Sequence, residues 1–385
     1  DYFESIDLSY GLIDFQNKGA SNCHEVLSSK KEKVADTKKG TLYEYGYASS
    51  SLLRFDKVSS KSTNLLWRGC NISIFYTPIC VGFYSKADGI LPCLGWGSRV
   101  FASLLARQWA RDSNEEIYSN LIVVILTRHK SKFAHFVRDR ISKLMWLSEW
   151  IELKSISILV FDFQLNYKET EFLYDVGFKG DIIVACDHTC LSLSGNIYVF
   201  ECSTGMSFLP YLRSWLIHNK HLKSCSSEYK RIYLRRGHDA RRNIISENRI
   251  TDILSNHDFH IANLSSLPIL QQLMYCTDSE IVMSAHGAHL ISAISTGSYI
   301  IELIGRPYMY TEWSRSMIKM AKELRLIYVP YFVNQEVLKM RSSAMDLQFK
   351  SLLNECKFDI DVQVQQSSRL RIDNHSFSEF LNALL

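Results

Sequence analysis

The sequence predicts an α/β chain of two Rossmann-like domains facing a cleft, with an N-terminal appendage. Three observations predict it. Short apolar runs alternate with segments of helical period, the pattern of strand–helix units around a mostly parallel sheet. The alternation occurs twice, on either side of the polar stretch 223–228. Gly (17) and Pro (6) are both scarce among 385 residues, which favours regular elements over long linkers. Apolar residues at 46% against 22% charged exclude a disordered or fibrous chain.

The elements follow in order. Residues 1–85 are mixed and rich in Ser, Lys and Tyr, with alternating runs at 42–47 and 72–76 that suggest strands. A helical stretch at 99–111 leads to LIVVILT at 121–127, a buried strand. A second helical segment spans 132–150, and further strands are expected at 155–163, 181–186 and 196–201. Residues 209–219 read as a helix. Beyond the polar break come the strand RIYLRR (231–236) and a helix at 248–255 with Ser246 as its cap. FHIANL (259–264) is a short strand, 267–276 a helix, and EIVMSA (280–285) and SYIIEL (298–303) are strands. The stretch 281–301 lacks formal charge and is long enough to cross a bilayer. Its two His and many Ser, Gly and Thr fit strand, glycine turn, short helix and strand better.

Lys plus Arg number 44 and Asp plus Glu 40, a net charge of +4. That balance leaves no nucleic-acid footprint, though it is compatible with a local anion site. The ten cysteines are scattered without a dense framework, which fits a reduced compartment. Cys186, His188 and Cys190 stand close in CDHTC, but a zinc site needs a second pair at matching spacing and only Cys202 follows nearby. Thiols holding no metal are expected there. Glycosylation tripeptides at Asn71, Asn263 and Asn374 are of a kind common by chance. The opening DYFESIDLSY does not read as a signal peptide, and its lack of Met suggests a trimmed chain.

Open α/β sheets bind ligands at the carboxyl ends of their strands, so the residues after each strand are the candidates. RIYLRR leads into GHDARR, which gathers Arg235, Arg236, Arg241 and Arg242 around His238. Guanidiniums offer paired donors to a pyrophosphate, although a solvated basic loop has the same signature. EIVMSA leads into HGAH. Gly287 permits close backbone approach, and a helix starting there points N–H groups at the cleft. His286 can donate to a phosphate or act as acid or base, or be a core histidine beside a tight turn. Glu302 closes YIIEL, where a carboxylate can hold ribose hydroxyls or pair with Arg306 or Arg315. Neither GxGxxG nor GxxxxGK[ST] occurs, which argues against dinucleotide and P-loop sites.

The order of these features resembles the C-terminal half of family 61 glycosyltransferases. That family includes capsular polysaccharide biosynthesis proteins and plant and animal enzymes that transfer xylose, arabinose or N-acetylglucosamine. The matching residues are RIYLRR, Arg241–Arg242, Ser246–Glu247, Gln271–Gln272, His286–Gly287–Ala288 and Glu302–Leu303. Departures are Ser284–Ala285 in place of Gly-Pro, Gln271 in place of Glu, and His289 in place of Gly. A fainter match at 95–109 has Ser98 or Arg99 where the family has His. Together the similarity spans about 90–330.

The resemblance implies a GT-B-like fold and inverting transfer from a nucleotide sugar, usually a UDP-sugar, to a glycan acceptor, with no bound metal or other cofactor. It divides the chain into an appendage (1–85), an acceptor-side domain (86–225), a nucleotide-sugar domain (226–335) and a C-terminal helical segment (336–385). Donor contacts would come from Arg236, Arg241, Arg242, Gln272, His286, Gly287, Ala288 and Glu302, the last on the ribose. Inversion needs a general base within about 3 Å of the acceptor hydroxyl. Asp162, Asp187 and His188 follow first-domain strands, and Asp187 and His188 are taken with His286 as the catalytic set. A degenerate relative that only binds nucleotide sugar, or another GT-B-like enzyme such as an epimerase, fits the same residues. A capsular role places the protein in the cytoplasm, peripherally at the inner membrane face; a eukaryotic relative would work in the Golgi or endoplasmic reticulum lumen.

Overall fold

Where β-branched and aromatic residues run together, the chain forms strands. In the computed structural model the described residues are 25–28, 42–44, 51–53, 65–77, 80–85, 89–90, 116–127, 133–187, 190–200, 205–222, 229–236, 244–305, 315–336 and 369–385. In chain order the first strands are β1 (Glu25–Ser28), β2 (Leu42–Glu44), β3 (Ser51–Leu53), β4 (Leu65–Thr77), β5 (Cys80–Ser85), β6 (Gly89–Ile90), β7 (Glu116–Ile125), β8 (Ile158–Phe161), β9 (Asp181–Val184) and β10 (Cys190–Phe200). The remainder are β11 (Arg231–Leu234), β12 (Phe259–Ala262), β13 (Ile281–Ala285), β14 (Tyr299–Gly305), β15 (Ile327–Glu336) and β16 (Arg369–Arg371). The expected helix at 99–111 lies outside the described residues.

Contacts divide the chain into two units. The first takes in Asp1–Lys33, Lys61–Ser131 and Leu147–Thr204; the second takes in Val34–Ser60, Lys132–Trp146 and Gly205–Leu385. Sequence order alone does not suggest that 132–146 groups with the second unit.

The first unit is a mixed sheet in the order β6-β5-β4-β10-β7-β8-β9, with β1 also on β4. β10, β7, β8 and β9 are parallel; β4 joins β10 antiparallel. Ile122, Val124 and Leu126 share one packed face with Ile158, Val160, Leu193 and Val199. Val123, Ile125, Leu159 and Phe161 on the other face are buried too. Burial on both faces explains why LIVVIL reads as an unbroken apolar run rather than an alternation. Helix Tyr167–Asp175 starts on a capping box, Asn166 and Glu169 each bonding the other's backbone N–H.

The second unit holds a parallel sheet ordered β12-β11-β13-β14-β15, closed by antiparallel β16. Numbered within the unit, the parallel strands run second, first, third, fourth, fifth. That doubly wound order has a switch point between β11 and β13. One face carries Tyr233, Met283, Ile301, Leu303, Val329 and Tyr331, packed against helices Glu247–Ser255 and Asn374–Leu384. The opposite face, with Ile232, Leu234, Val282 and Ile300, is buried as well. The stretch 281–301 is β13, a 3-10 helix (Ala288–Ser295) and the start of β14, as its composition predicts. No helix among the described residues is long and apolar enough to cross a membrane.

Two local expectations change. Ser246 stands at the N-cap of Glu247–Ser255 but makes no side-chain cap bond. Its φ of 57° is left-handed, whereas capping geometry uses extended backbone. The helical segment at 133–147 contains a π-helical stretch, Phe136–Ile141, a distortion that periodicity does not reveal. Asp139 lies buried within it. Burial pushes its carboxyl up, but bonds from His135 and Arg138, the Arg138 charge and the Gly205 N–H together hold it well below the usual range. Arg138 Nε donates to Oδ1 at 2.6 Å and Gly205 N–H to the same oxygen at 3.0 Å. Gly205 fits because a Cβ there would stand 1.8 Å from the Arg138 carbonyl oxygen.

Asp139→Asn is therefore expected to cost about 3–5 kcal/mol of unfolding free energy, the range for removing one partner of a buried pair. A depressed carboxyl contributes in full above its ordinary 3.8 and loses that contribution as pH falls through the folded value. Urea unfolding of the wild type should weaken from about pH 5 downward, and the variant should weaken less over the same range.

Candidate functional site

The carboxyl end of β11 divides its two arginines. Side chains alternate across a sheet, so Tyr233 and Arg235 fall on one face and Leu234 and Arg236 on the other. Tyr233 Oη donates to Glu247 Oε1 at 2.8 Å, and Arg235 Nε to Glu247 Oε2 at 3.0 Å. Burial, then the Glu247 charge and bond, pushes the Tyr233 phenol well up, so it stays a donor. Arg235 also reaches Asn248 Oδ1, which ties it to the helix start. Arg236 turns the other way and its Nη1 donates to the His286 carbonyl at 2.8 Å. That bond crosses the switch point between β11 and β13. Arg241, Arg242 and His238 lie outside the described residues.

β13 delivers His286 and Gly287 to the same edge. The His286 N–H continues the ladder by donating to Leu303 O at 3.0 Å. Gly287 precedes the 3-10 helix, and Ala288, the first helical residue, is exposed. A Cβ on Gly287 would lie 3.0 Å from the His289 ring and 3.1 Å from Arg236 Cζ. The glycine thus lets an imidazole and a guanidinium close around one peptide. Ser284 Oγ donates to Leu234 O and is bonded to His289 Nε2. Ser284 and His289, two departures from the family pattern, therefore touch one another. Gln272 is nearly buried and its Nε2 donates to Leu267 O at 2.9 Å, while Gln271 donates to Leu222 O.

Glu302 is not at a strand end, because β14 continues to Gly305. Pairing Ser284 with Glu302 places the carboxylate inside the sheet, where it is 0% exposed. One oxygen meets His286 Nδ1 and the other accepts from Tyr328 Oη on β15. The side chain thus faces two protein donors rather than solvent. Burial, followed by the Glu302 charge and bond, raises the Tyr328 phenol well above its ordinary value, so it stays protonated. Sequence reasoning missed Tyr328. Its only signal is the apolar run IYVPYF, interrupted by Pro330.

In the first unit, the carboxyl ends of β7, β8 and β9 bring together Thr127, Asp162 and the Cys186–Asp187 pair. Asp162 is fully buried and its Oδ2 accepts from Thr127 Oγ1 at 3.0 Å. Asp187 is exposed and accepts from the Cys186 thiol at 3.7 Å. Burial, then the Asp187 charge and bond and the Asp162 charge, pushes that thiol up, away from thiolate. His188 and the 98–99 region lie outside the described residues. Among the described residues, no group of three or more His, Cys, Asp or Glu is placed to hold a metal.

The family model for Glycosyltransferase 61 matches residues 121–297, so that region is similar to the family its motifs resemble. The match runs from β7 to the end of the 3-10 helix, so it includes Arg236, His286 and Gly287, while Glu302 and Tyr328 lie beyond it. No curated protein matches the chain.

Glu302→Gln keeps the shape but sets an amide N–H2 against a donor. It is expected to lower unfolding free energy by about 1–3 kcal/mol, the cost of an unmet buried polar group. A urea midpoint equal to that of the wild type would mean that His286 and Tyr328 do not both lean on this carboxylate.

Proposed function

We propose, with that family as the premise, that this chain is an inverting glycosyltransferase with a GT-B pair of Rossmann-like domains. It moves a sugar from a UDP-sugar to a glycan acceptor in capsular or surface polysaccharide synthesis, at the cytoplasmic side of a membrane. The observation that carries the reading is the meeting of Arg236 and the His286–Gly287 peptide at the switch point of the second sheet. Ligands of doubly wound sheets bind in that crevice.

The chemistry follows from charge. As the bond from the sugar's anomeric carbon to the diphosphate oxygen breaks, negative charge grows on the leaving phosphate. Arg236, with Arg241 and Arg242 that follow it in the sequence, is assigned to stabilise that charge more in the transition state than in the ground state. The reading assigns this task to guanidiniums rather than to a metal ion. The Gly287 and Ala288 amides at the start of the 3-10 helix add backbone donors. His286 keeps its Nδ1 side on Glu302, so any proton it moves passes through Nε2. Glu302, expected on the ribose, acts in this reading through His286. On the acceptor side the base takes the hydroxyl proton while that oxygen attacks the anomeric carbon. Asp187, which is exposed, and His188, which follows it in the sequence, are assigned that task; Asp162, buried against Thr127, serves structure.

Calorimetric titration with UDP, GDP and CMP, with and without Mg²⁺, tests the reading. Saturable binding of UDP without metal is expected. Gly287→Ala, whose Cβ meets His289 and Arg236, should raise the UDP Kd about tenfold, or about 1.4 kcal/mol. A folded wild type that binds none of the three nucleotides would overturn the donor site and point to a relative acting through a partner. Binding without sugar transfer to any glycan would leave a nucleotide-sugar binder in place of a transferase.

A further inference from the structure

We infer that Tyr328 is a positioning residue for the transfer reaction: from β15 its hydroxyl holds Glu302 so that His286 keeps its proton on Nδ1 and works through Nε2. The inference rests on the proposed donor site and extends it to a residue beyond the family match.

The register sets the contact. β14 and β15 pair Ile300 with Tyr328 and Glu302 with Pro330. Tyr328 therefore shares the face of Glu302, two residues back along the neighbouring strand, and its ring spans the gap. The phenol is buried, at 4% exposure, and its oxygen donates to Glu302 Oε2. A phenylalanine would fill the same space with no hydroxyl to desolvate, so the hydroxyl is accounted for by the carboxylate it bonds. Two donors on opposite oxygens, Tyr328 and His286, fix the carboxylate plane. The plane in turn fixes the imidazole ring and its tautomer. Without the phenol the carboxylate loses one of its two donors, so Glu302 takes up a proton from solvent and donates it to Nδ1. His286 then carries its N–H on Nε2, taken from solvent, the opposite of the tautomer that the Glu302 carboxylate holds. Tyr328 itself touches no substrate in this arrangement.

The test is a cycle of Tyr328→Phe, Glu302→Gln and the double variant. Sugar transfer and the ¹⁵N spectrum of labelled histidine are the readouts. Tyr328→Phe should lower kcat about ten- to a hundredfold, part of what general acid–base catalysis supplies. The donor KM should stay within about twofold, since the loss falls on the transition state. The double variant should be no slower than Glu302→Gln alone, because both changes act through one chain. The His286 signal should move from Nδ1–H in the wild type towards Nε2–H in Tyr328→Phe. Unchanged kcat and tautomer with only a lower Tm, or losses that multiply in the double variant, would overturn the inference. A wild type that transfers no sugar would overturn the functional reading instead, and the nitrogen spectrum would still decide whether Tyr328 sets the His286 tautomer.

Discussion

A carboxylate with no solvent contact must be met by donors, and Glu302 imposes that demand on the second unit. The demand is met only when three strands are in one register. β13 must end where His286 can turn back, β14 must place Glu302 opposite Ser284, and β15 must bring Tyr328 alongside. A slip of one residue in β14 would turn Glu302 onto the face packed by Phe377, Phe380 and Leu381. That face offers an apolar core in place of donors. The ion-bearing network and the hydrophobic packing therefore select the same alignment, from opposite sides of one sheet.

The same alternation separates structure from chemistry at β11. Neighbouring arginines, indistinguishable in the sequence, go to different faces. Arg235 joins Tyr233 on Glu247 and secures the following helix. Arg236 crosses to the His286 carbonyl at the switch point. Arg236 is the one of the two that stands at the switch point, where doubly wound sheets hold their ligands.

Much of this was legible in the sequence for a physical reason. Strand–helix alternation is local, and the apolar runs at 121–127, 232–234 and 281–285 have few other ways to be buried. Strand ends then nominate the residues at the sheet edge, Arg236, His286 and Gly287 among them. What stayed hidden depends on contacts distant in sequence. Glu302 read as a strand-end ligand group because the run YIIEL has no marker telling that β14 goes on to Gly305. Tyr328 carried only the signal of the apolar run around it, since an apolar strand with a buried tyrosine looks like any other. Ser246 had the right side chain for a cap, but its left-handed backbone withholds the geometry a cap needs.

The two buried ionic clusters of the second unit show where that boundary lies. Around Asp139 the partners sit on the same helical segment, His135 one turn back at a spacing that a helix brings together and Arg138 as the preceding residue. Only the Gly205 N–H arrives from afar, through a backbone that tolerates no Cβ there. Around Glu302 every partner is on another element, separated by 16 residues for His286 and 26 for Tyr328. Local clusters can be written into a helix and assemble with it. A cluster drawn from three strands exists only after the sheet does, so its members cannot be recognised by spacing. Its geometry is as rigid as the sheet, which suits it to holding one imidazole in one orientation.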